Sequence, residues 1–143
     1  MAAESTASVT WQGDLASGRG TFTTGSGALG EHEVTWASRT ERTAGKTSPE
    51  ELIAAAHASC FSMALSSALA KGGHPPEELK VNAACTFVPG EGITTMKLDV
   101  TGRVPGLDAA GFQEAAEAAK EGCPVSGALK GNVEITLEAR LEQ

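Results

Sequence analysis

The chain has 143 residues, which suits a single domain, and 41% of them are hydrophobic, which is enough to bury a core. Its formal net charge is −7, whereas a nucleic-acid-binding protein carries a basic surface. No polybasic stretch is present that could bind an anionic membrane. We therefore expect one domain over residues 1–143, with no nucleic-acid and no membrane partner.

The N-terminal residues, MAAESTASVTW, carry neither a positively charged segment nor an apolar one, so we expect no signal peptide. No apolar run is expected to be long enough to span a bilayer. The cytoplasm is the expected compartment, although export routes without such a signal stay open.

Alternation of apolar residues at period two predicts three strands in the first part of the chain. Val9 and Trp11 mark the first strand, and Val34 and Trp36 mark the third. The predicted strands occupy residues 8–13, 18–24 and 33–38, and a polar loop follows at residues 39–46.

The clearest helix start is S-P-E-E at residues 48–51. Ser48 suits the N-cap, the proline suits the first helical position, and Glu51 suits the third position of a capping box. The predicted helix runs to the glycines at 72–73 and has no charged side chain between Glu51 and Lys71. A helix that is apolar on every side must be buried on every side, and a dimer whose subunits wrap around one another would provide that burial.

The second part of the chain returns to alternation and predicts strands at residues 81–87, 96–100 and 133–141. A second helix is predicted from Asp108, a suitable N-cap, to Gly122. The order is three strands, helix, two strands, helix and strand. This order indicates an α+β fold in which two main helices pack on a mostly antiparallel sheet.

The three cysteines are Cys60, Cys85 and Cys123. An odd and widely spaced set is not a secreted disulfide framework, and in a reducing compartment any pairing would be transient. Cys85 alternates with apolar neighbours on one strand face, so we expect it to pack in the core.

Cys60 lies in the middle of the long predicted helix, where burial raises the pKa of a thiol and a nearby cation is needed to lower it. Arg39, Arg42 and His57 are candidates for that cation, and His57 lies one helical turn away. The alternatives are an inert packed cysteine and a packed, hydrogen-bonded histidine.

Cys123 stands between a helix end and Pro124, at the predicted N-cap of a short helical turn. A helix N-terminus stabilises a thiolate, so spacing and dipole alone favour Cys123 as the more nucleophilic cysteine. The alternative is a capping residue with no reactivity, and local physics does not settle the order of attack.

A metal-binding role for His57 and the two cysteines is the least favoured alternative. His57, Cys60 and Cys123 could supply three ligands, but a closed zinc site usually takes four and no fourth suggests itself. We expect no metal and no cofactor.

Two stretches together resemble a known family. Residues 48–66, SPEELIAAAHASCFSMALS, are similar to the cysteine helix of the osmotically inducible protein C (OsmC) family, and residues 119–129, AKEGCPVSGAL, are similar to its second cysteine motif. The opening WQGD and GRGTFTTGSG and the closing strand are also similar, so the likeness covers nearly the whole chain. His57 places the chain closer to the OsmC branch than to the organic hydroperoxide resistance branch.

The resemblance implies a thiol-dependent peroxidase of the oxidative and osmotic stress response, built as an intertwined homodimer with two active sites near its interface. It makes Cys60 the attacking cysteine, Cys123 the resolving cysteine and Glu50 the active-site glutamate. Arg39 matches the OsmC-branch arginine that would hold Cys60 as a thiolate, whereas Arg19 lies in the region used by the other branch and is out of register.

The implied substrate is an organic hydroperoxide, and Phe61 and Met63 beside Cys60 favour an apolar one. Cys60 would become a sulfenic acid, Cys123 would condense with it to a disulfide, and an external dithiol, such as a lipoyl-type one, would restore both thiols. Two other functions stay open: a non-enzymatic dimer that binds apolar ligands, and a redox sensor without turnover.

Overall fold

The computed structural model describes residues 1–142 and forms two compact units, residues 1–52 and residues 53 onward, with the boundary inside one long helix. The elements in chain order are β1 Ala7–Gln12, β2 Arg19–Thr24, β3 His32–Val34, α1 Trp36–Thr40, α2 Pro49–Lys71, β4 Glu78–Val88, β5 Gly92–Arg103, α3 Ala109–Gly122, α4 Pro124–Leu129 and β6 Glu134–Leu141. The prediction of an α+β fold with two main helices is confirmed. The strands, however, form two three-stranded sheets instead of one.

The N-terminal sheet has the order β1-β2-β3 and is antiparallel throughout. Its first two strands lie within one residue of the predicted bounds. β1 is exposed along its whole length, including Val9 and Trp11, so its apolar side chains are uncovered in the single chain.

The third predicted strand, residues 33–38, is wrong in its second half. β3 ends at Val34, and a short helix, α1, takes the place of the strand end and of the start of the predicted loop. The cause is a reciprocal cap: Oγ1 of Thr35 accepts from the backbone N–H of Ser38 at 3.0 Å, and Oγ of Ser38 accepts from the N–H of Thr35 at 3.0 Å. This local bonding outweighs the period-two pattern and places Arg39 in a helix.

The long helix α2 starts where the sequence predicts. Oγ of Ser48 accepts from the N–H of Glu51 at 3.1 Å, as an N-cap does, while the Glu51 carboxylate binds Arg42 at 2.9 Å. The expectation that no apolar run could span a bilayer is wrong by length and composition, because α2 has 23 residues and is apolar enough to do so. Its side chains at 57, 61, 65 and 69 are buried, and the last three belong to the core.

The face of α2 opposite that buried row is open. Met63 is 71% exposed, and the small residues near it are exposed or half-buried. The prediction that this helix is buried on every side therefore does not hold within a single chain.

The C-terminal sheet has the order β4-β5-β6. β4 and β5 form a long antiparallel hairpin, which agrees with the mostly antiparallel sheet that was predicted, but β6 runs parallel to β5. The chain reaches β6 through α3 and α4, and such a helical crossover returns the strand in the parallel direction.

The core of this second unit lies between the β5 face and the helices. Its largest buried side chains are Phe61, Leu65, Met96, Leu98, Val100 and Phe112. Phe112 of α3 sits on Gly102 of β5, where an added Cβ would lie 2.6 Å from the ring. The absence of a side chain at Gly102 therefore lets α3 pack closely on the sheet. Cys123 follows the last residue of α3 and is its C-cap.

Candidate active site

Cys60 and Cys123 are free thiols on neighbouring helical segments of the second unit. Cys60 is half-buried in the middle of α2. Cys123 is 1% exposed and forms the joint between α3 and α4, with extended backbone (φ −69°, ψ 124°) and a proline at the first position of α4. The N-cap position predicted for Cys123 is confirmed.

The two thiols lie next to each other, and each perturbs the pKa of the other. Burial raises the pKa of the Cys60 thiol and the neighbouring Cys123 raises it further, although the Val125 N–H works in the opposite direction.

The surroundings of Cys123 shift its pKa in the other direction. Burial works against its ionisation, but the backbone N–H of Ser126, the Cys60 thiol, the Ser126 hydroxyl and the Val125 N–H together hold the pKa of Cys123 below its usual range. The N–H groups of Val125 and Ser126 belong to the first turn of α4, which leaves its N–H groups without helical partners. The Cys123 side chain precedes that turn but makes no capping hydrogen bond to it.

A further buried side chain, His57, contacts Ser126 of α4. It is fully buried, and its Nε2 is 2.8 Å from Oγ of Ser126, a buried side chain. Burial lowers the pKa of His57, so the ring is neutral. A neutral His57 cannot serve as the cation that was one of three candidates for activating Cys60.

Arg39 and Glu50 are brought together within the first unit. Nε and Nη2 of Arg39 lie 2.8 Å and 2.6 Å from the same carboxylate oxygen, Oε1 of Glu50. Glu50 is 4% exposed, and its Oε2 is buried without a hydrogen-bond partner among residues 1–142. Arg39 also lies over the ring of Trp36, 5.9 Å from its centroid.

The other two arginines considered from the sequence lie in different surroundings. Arg42 binds Glu51 at 2.9 Å in an exposed ion pair and also contacts the carbonyl of Ser38. Arg19 opens β2 and is exposed. It is Arg39 that holds Glu50, while the catalytic roles of both residues stay predictions.

Sequence reasoning missed Ser126. It stands three residues after Cys123, a spacing that suits a helical first turn, and this was the available signal. Its partner His57 is 69 positions away in the chain, so no local pattern connects the two. Cys85 packs against the core cluster as predicted.

Phe61, expected to favour an apolar substrate beside Cys60, is fully buried in the core and cannot line a site open to substrate. Within residues 1–142, no group of three or more His, Cys, Asp or Glu side chains is placed to hold a metal ion.

Comparison with known proteins identifies the family to which this chain is similar. The family described as OsmC-like protein matches residues 42–138. Peroxiredoxin OsmC of Escherichia coli (strain K12) is 43% identical over 135 residues, covering 92% of each chain. An organic hydroperoxide resistance protein of Xanthomonas axonopodis pv. citri (strain 306) is 33% identical over 94 residues, covering 64% of this chain and 65% of that one.

Solved structures agree with the sequence comparison. The crystal structure of the organic hydroperoxide resistance protein OhrB of Bacillus subtilis is similar with a TM-score of 0.67 and 28% identity, covering 94% of this chain and 98% of that chain. Because the family matches well over half of the chain and the E. coli relative extends over nearly all of it, the chain belongs to the OsmC-like protein family.

Proposed function

We propose that this protein is a cysteine peroxidase that reduces organic hydroperoxides to alcohols. The observation that carries the proposal is the juxtaposition of two free thiols that perturb each other's pKa, one half-buried and one buried at a helix N-terminus. Relatives named as a peroxiredoxin and as organic hydroperoxide resistance proteins support the same chemistry.

The difference in exposure supports Cys60 as the attacking cysteine. A hydroperoxide must reach the attacking sulfur, and Cys60 is the more accessible of the two, whereas Cys123 is 1% exposed. The resolving cysteine needs to reach only the first sulfur, and Cys123 already contacts it. Accessibility thus supports Cys60 as attacker, although the local electrostatics favour the thiolate on Cys123.

A proton transfer between the two sulfurs would reconcile these observations. As Cys60 attacks the peroxide oxygen distal to the organic group, its proton passes to the neighbouring Cys123, whose pKa is held below its usual range. The O–O bond breaks, the alkoxide takes a proton from solvent and leaves as an alcohol, and Cys60 becomes a sulfenic acid. Cys123 then attacks that sulfur, its proton leaves with the hydroxyl group as water, and a Cys60–Cys123 disulfide forms.

Arg39 and Glu50 are proposed to complete the site by stabilising negative charge on Cys60 and on the reacting oxygens. Glu50 would fix the guanidinium, since two of its nitrogens lie within 2.8 Å of one buried carboxylate oxygen. Arg39 is preferred to Arg42, because the Arg42 ion pair is exposed.

An external dithiol is proposed to regenerate the enzyme. Its thiolate would attack the sulfur of Cys60, the accessible side of the disulfide, and its second thiol would displace the mixed disulfide. A lipoyl-type dithiol fits this scheme, and a monothiol such as glutathione should recycle the enzyme more slowly because it lacks the second, intramolecular thiol.

The open face of α2 and the exposed strand β1 support a homodimer as the working form. An uncharged helix face carrying Met63 is costly to leave in water, and a second copy would cover it. Replacing Met63 by Glu should shift the protein towards a monomer in light scattering. The free thiols suit a cytoplasmic location, which keeps thiols reduced.

The deciding experiment is a free-thiol count on reduced protein before and after one equivalent of cumene hydroperoxide, with peptide mapping. Loss of two thiols per chain, mapped to a Cys60–Cys123 disulfide, is the expected result. Three unreacted thiols would contradict the proposal and leave a dimer that binds apolar ligands as the better account. Disulfide formation without recycling by any dithiol would indicate a sensor.

A further inference from the structure

We propose that Trp36 is a positioning residue for Arg39: its indole ring holds the guanidinium against Glu50 and so fixes the orientation of that charged group. The proposal deepens the peroxidase assignment and rests on the role given there to Arg39, the stabilisation of negative charge during attack on the hydroperoxide. The chemistry above assigns no part to Trp36. All three residues lie within the first unit, residues 1–52.

The start of α1 brings the ring and the guanidinium onto one face of a helix. Thr35 is the N-cap, and its reciprocal hydrogen bonds with Ser38, both 3.0 Å long, fix the first turn. Trp36 is the first residue of the helix, and Arg39 follows one turn later. Residues at this spacing are neighbours on a helix surface, so the turn places the two side chains side by side.

The contact with Trp36 is made over the indole ring. Cζ of Arg39 lies 5.9 Å from the ring centroid. At that distance the negative face of the ring attracts the cation, and the planar guanidinium stacks well on an aromatic surface. Trp36 is half-buried and the Arg39 side chain is 29% exposed, so water weakens this attraction only in part.

The contact with Glu50 benefits from such a support because it is centred on one oxygen. Nε and Nη2 of Arg39 lie 2.8 Å and 2.6 Å from Oε1, whereas Oε2 is buried without a hydrogen-bond partner among residues 1–142. In the usual bidentate pair, two nitrogens bind two different oxygens and the guanidinium is fixed at two points. A single oxygen lets the group rotate about Oε1, and the ring of Trp36 restricts that rotation from one face.

This restriction has a consequence for the reaction. A charged group that already points in the required direction stabilises developing negative charge without having to reorganise. Without the indole, Arg39 gains access to other rotamers, and part of the population no longer presents its charge correctly. Trp36→Leu should therefore slow the oxidation of Cys60 about two- to fivefold, the effect expected for loss of one cation–π contact at a partly exposed site.

The first test is a double-mutant cycle, measured by stopped-flow oxidation of Cys60 with cumene hydroperoxide. Trp36→Leu should slow the parent but add nothing to the double variant Arg39→Met with Glu50→Gln, in which the guanidinium is absent. Equal slowing in both backgrounds would mean that Trp36 has only a structural role and would overturn the proposal. Trp36→Phe keeps an aromatic face and should stay within about twofold of the parent.

The second test observes Arg39 by nuclear magnetic resonance, without any reaction. In the parent, the indole ring current should shift the Arg39 side-chain signals, and nitrogen relaxation should show a rigid Nε–H group. Trp36→Leu should remove that shift and raise the mobility. Arg103, whose Nε donates to Glu77 at 3.1 Å in the second unit, is the internal control and should not change. Arg39 signals that keep their position and mobility would overturn the proposal.

The spectra separate the proposal from the peroxidase assignment. If the parent does not react with hydroperoxide, that assignment fails, and the Arg39 signals still decide whether Trp36 positions the guanidinium. If Trp36→Leu does not fold, nuclear Overhauser contacts between the indole ring and the Arg39 side chain in the parent decide. Their presence would support the proposal, and their absence would overturn it.

Discussion

The thiols of Cys60 and Cys123 lie next to each other and perturb each other's pKa, which brings together the middle of one helix and the N-terminus of another. Each cysteine alone could be structural: a packed cysteine in a helix, and an N-cap without reactivity. Their proximity favours a joint role, because two neighbouring thiols can form a disulfide once one of them is oxidised.

Serine substitutions of the two cysteines should separate the steps of the reaction. Cys60→Ser should abolish hydroperoxide consumption, because no accessible sulfur is left in the site to attack the peroxide. Cys123→Ser should consume about one equivalent and then stop, or recycle slowly, because the sulfenic acid has no internal partner. Peroxide consumption with and without dihydrolipoamide measures both effects.

Cys85 is the control for that series. It packs against the core on β4, so Cys85→Ser should leave peroxide consumption near the parent value while costing some stability. Full activity in Cys60→Ser would contradict the assignment of the attacking residue.

Removing Arg39 should slow the first step. Because removal of Arg39 alone would strand the buried Glu50 carboxylate, the informative variant is the double substitution Arg39→Met with Glu50→Gln. We expect a loss of about tenfold to a hundredfold in the rate of Cys60 oxidation, the range given by one or two units of thiol pKa. Stopped-flow oxidation with cumene hydroperoxide measures it.

The matched control is Arg42→Met with Glu51→Gln, which removes an exposed ion pair from the same first unit. Exposed pairs contribute little, so this variant should keep the parent rate and nearly the parent stability. Equal losses in the two double variants would mean that general positive charge, and not Arg39, activates Cys60.

Stability should fall on the acidic side because of His57. Burial lowers the pKa of His57 in the folded chain, whereas the unfolded chain titrates near 6.5. Below that pH the unfolded state binds the extra proton, so the free energy of unfolding falls as pH falls, by at most about 1.4 kcal/mol per pH unit for one group. His57→Gln should flatten this part of the urea-unfolding profile between pH 7 and pH 5, on the order of that slope.

Gly102 should tolerate no side chain. A Cβ there would lie 2.6 Å from the ring of Phe112, so Gly102→Ala should destabilise the protein by about 1–3 kcal/mol through overpacking. Gly127, in α4, has open space around it, and Gly127→Ala should be neutral or stabilising by about 0.5–1 kcal/mol. Urea unfolding of the two variants gives the comparison. Equal free energies of unfolding for Gly102→Ala and Gly127→Ala would mean that α3 can move away from the sheet to make room for the added methyl group.

Residues 48–51 show how much local sequence determines. A cap, a proline and two glutamates specify the start of α2, and the structure begins that helix at Pro49. The N-cap position of Cys123 was equally local, because a proline after a helix end restarts a helix. The alternation over 133–141 gave the closing strand, but not its direction, because period two is the same in parallel and antiparallel pairing.

The Thr35–Ser38 cap is also local, and its hydrogen bonds outweighed the alternation that predicted a strand end, which α1 replaces. Other features were decided by tertiary structure. The pairing of the two thiols and the hydrogen bond between His57 and Ser126 depend on elements far apart in the chain. Sequence alone determined which helices carry the cysteines, whereas packing decided that the two thiols lie next to each other and in which direction each pKa shifts, because burial and the surroundings of a sulfur exist only in the folded protein.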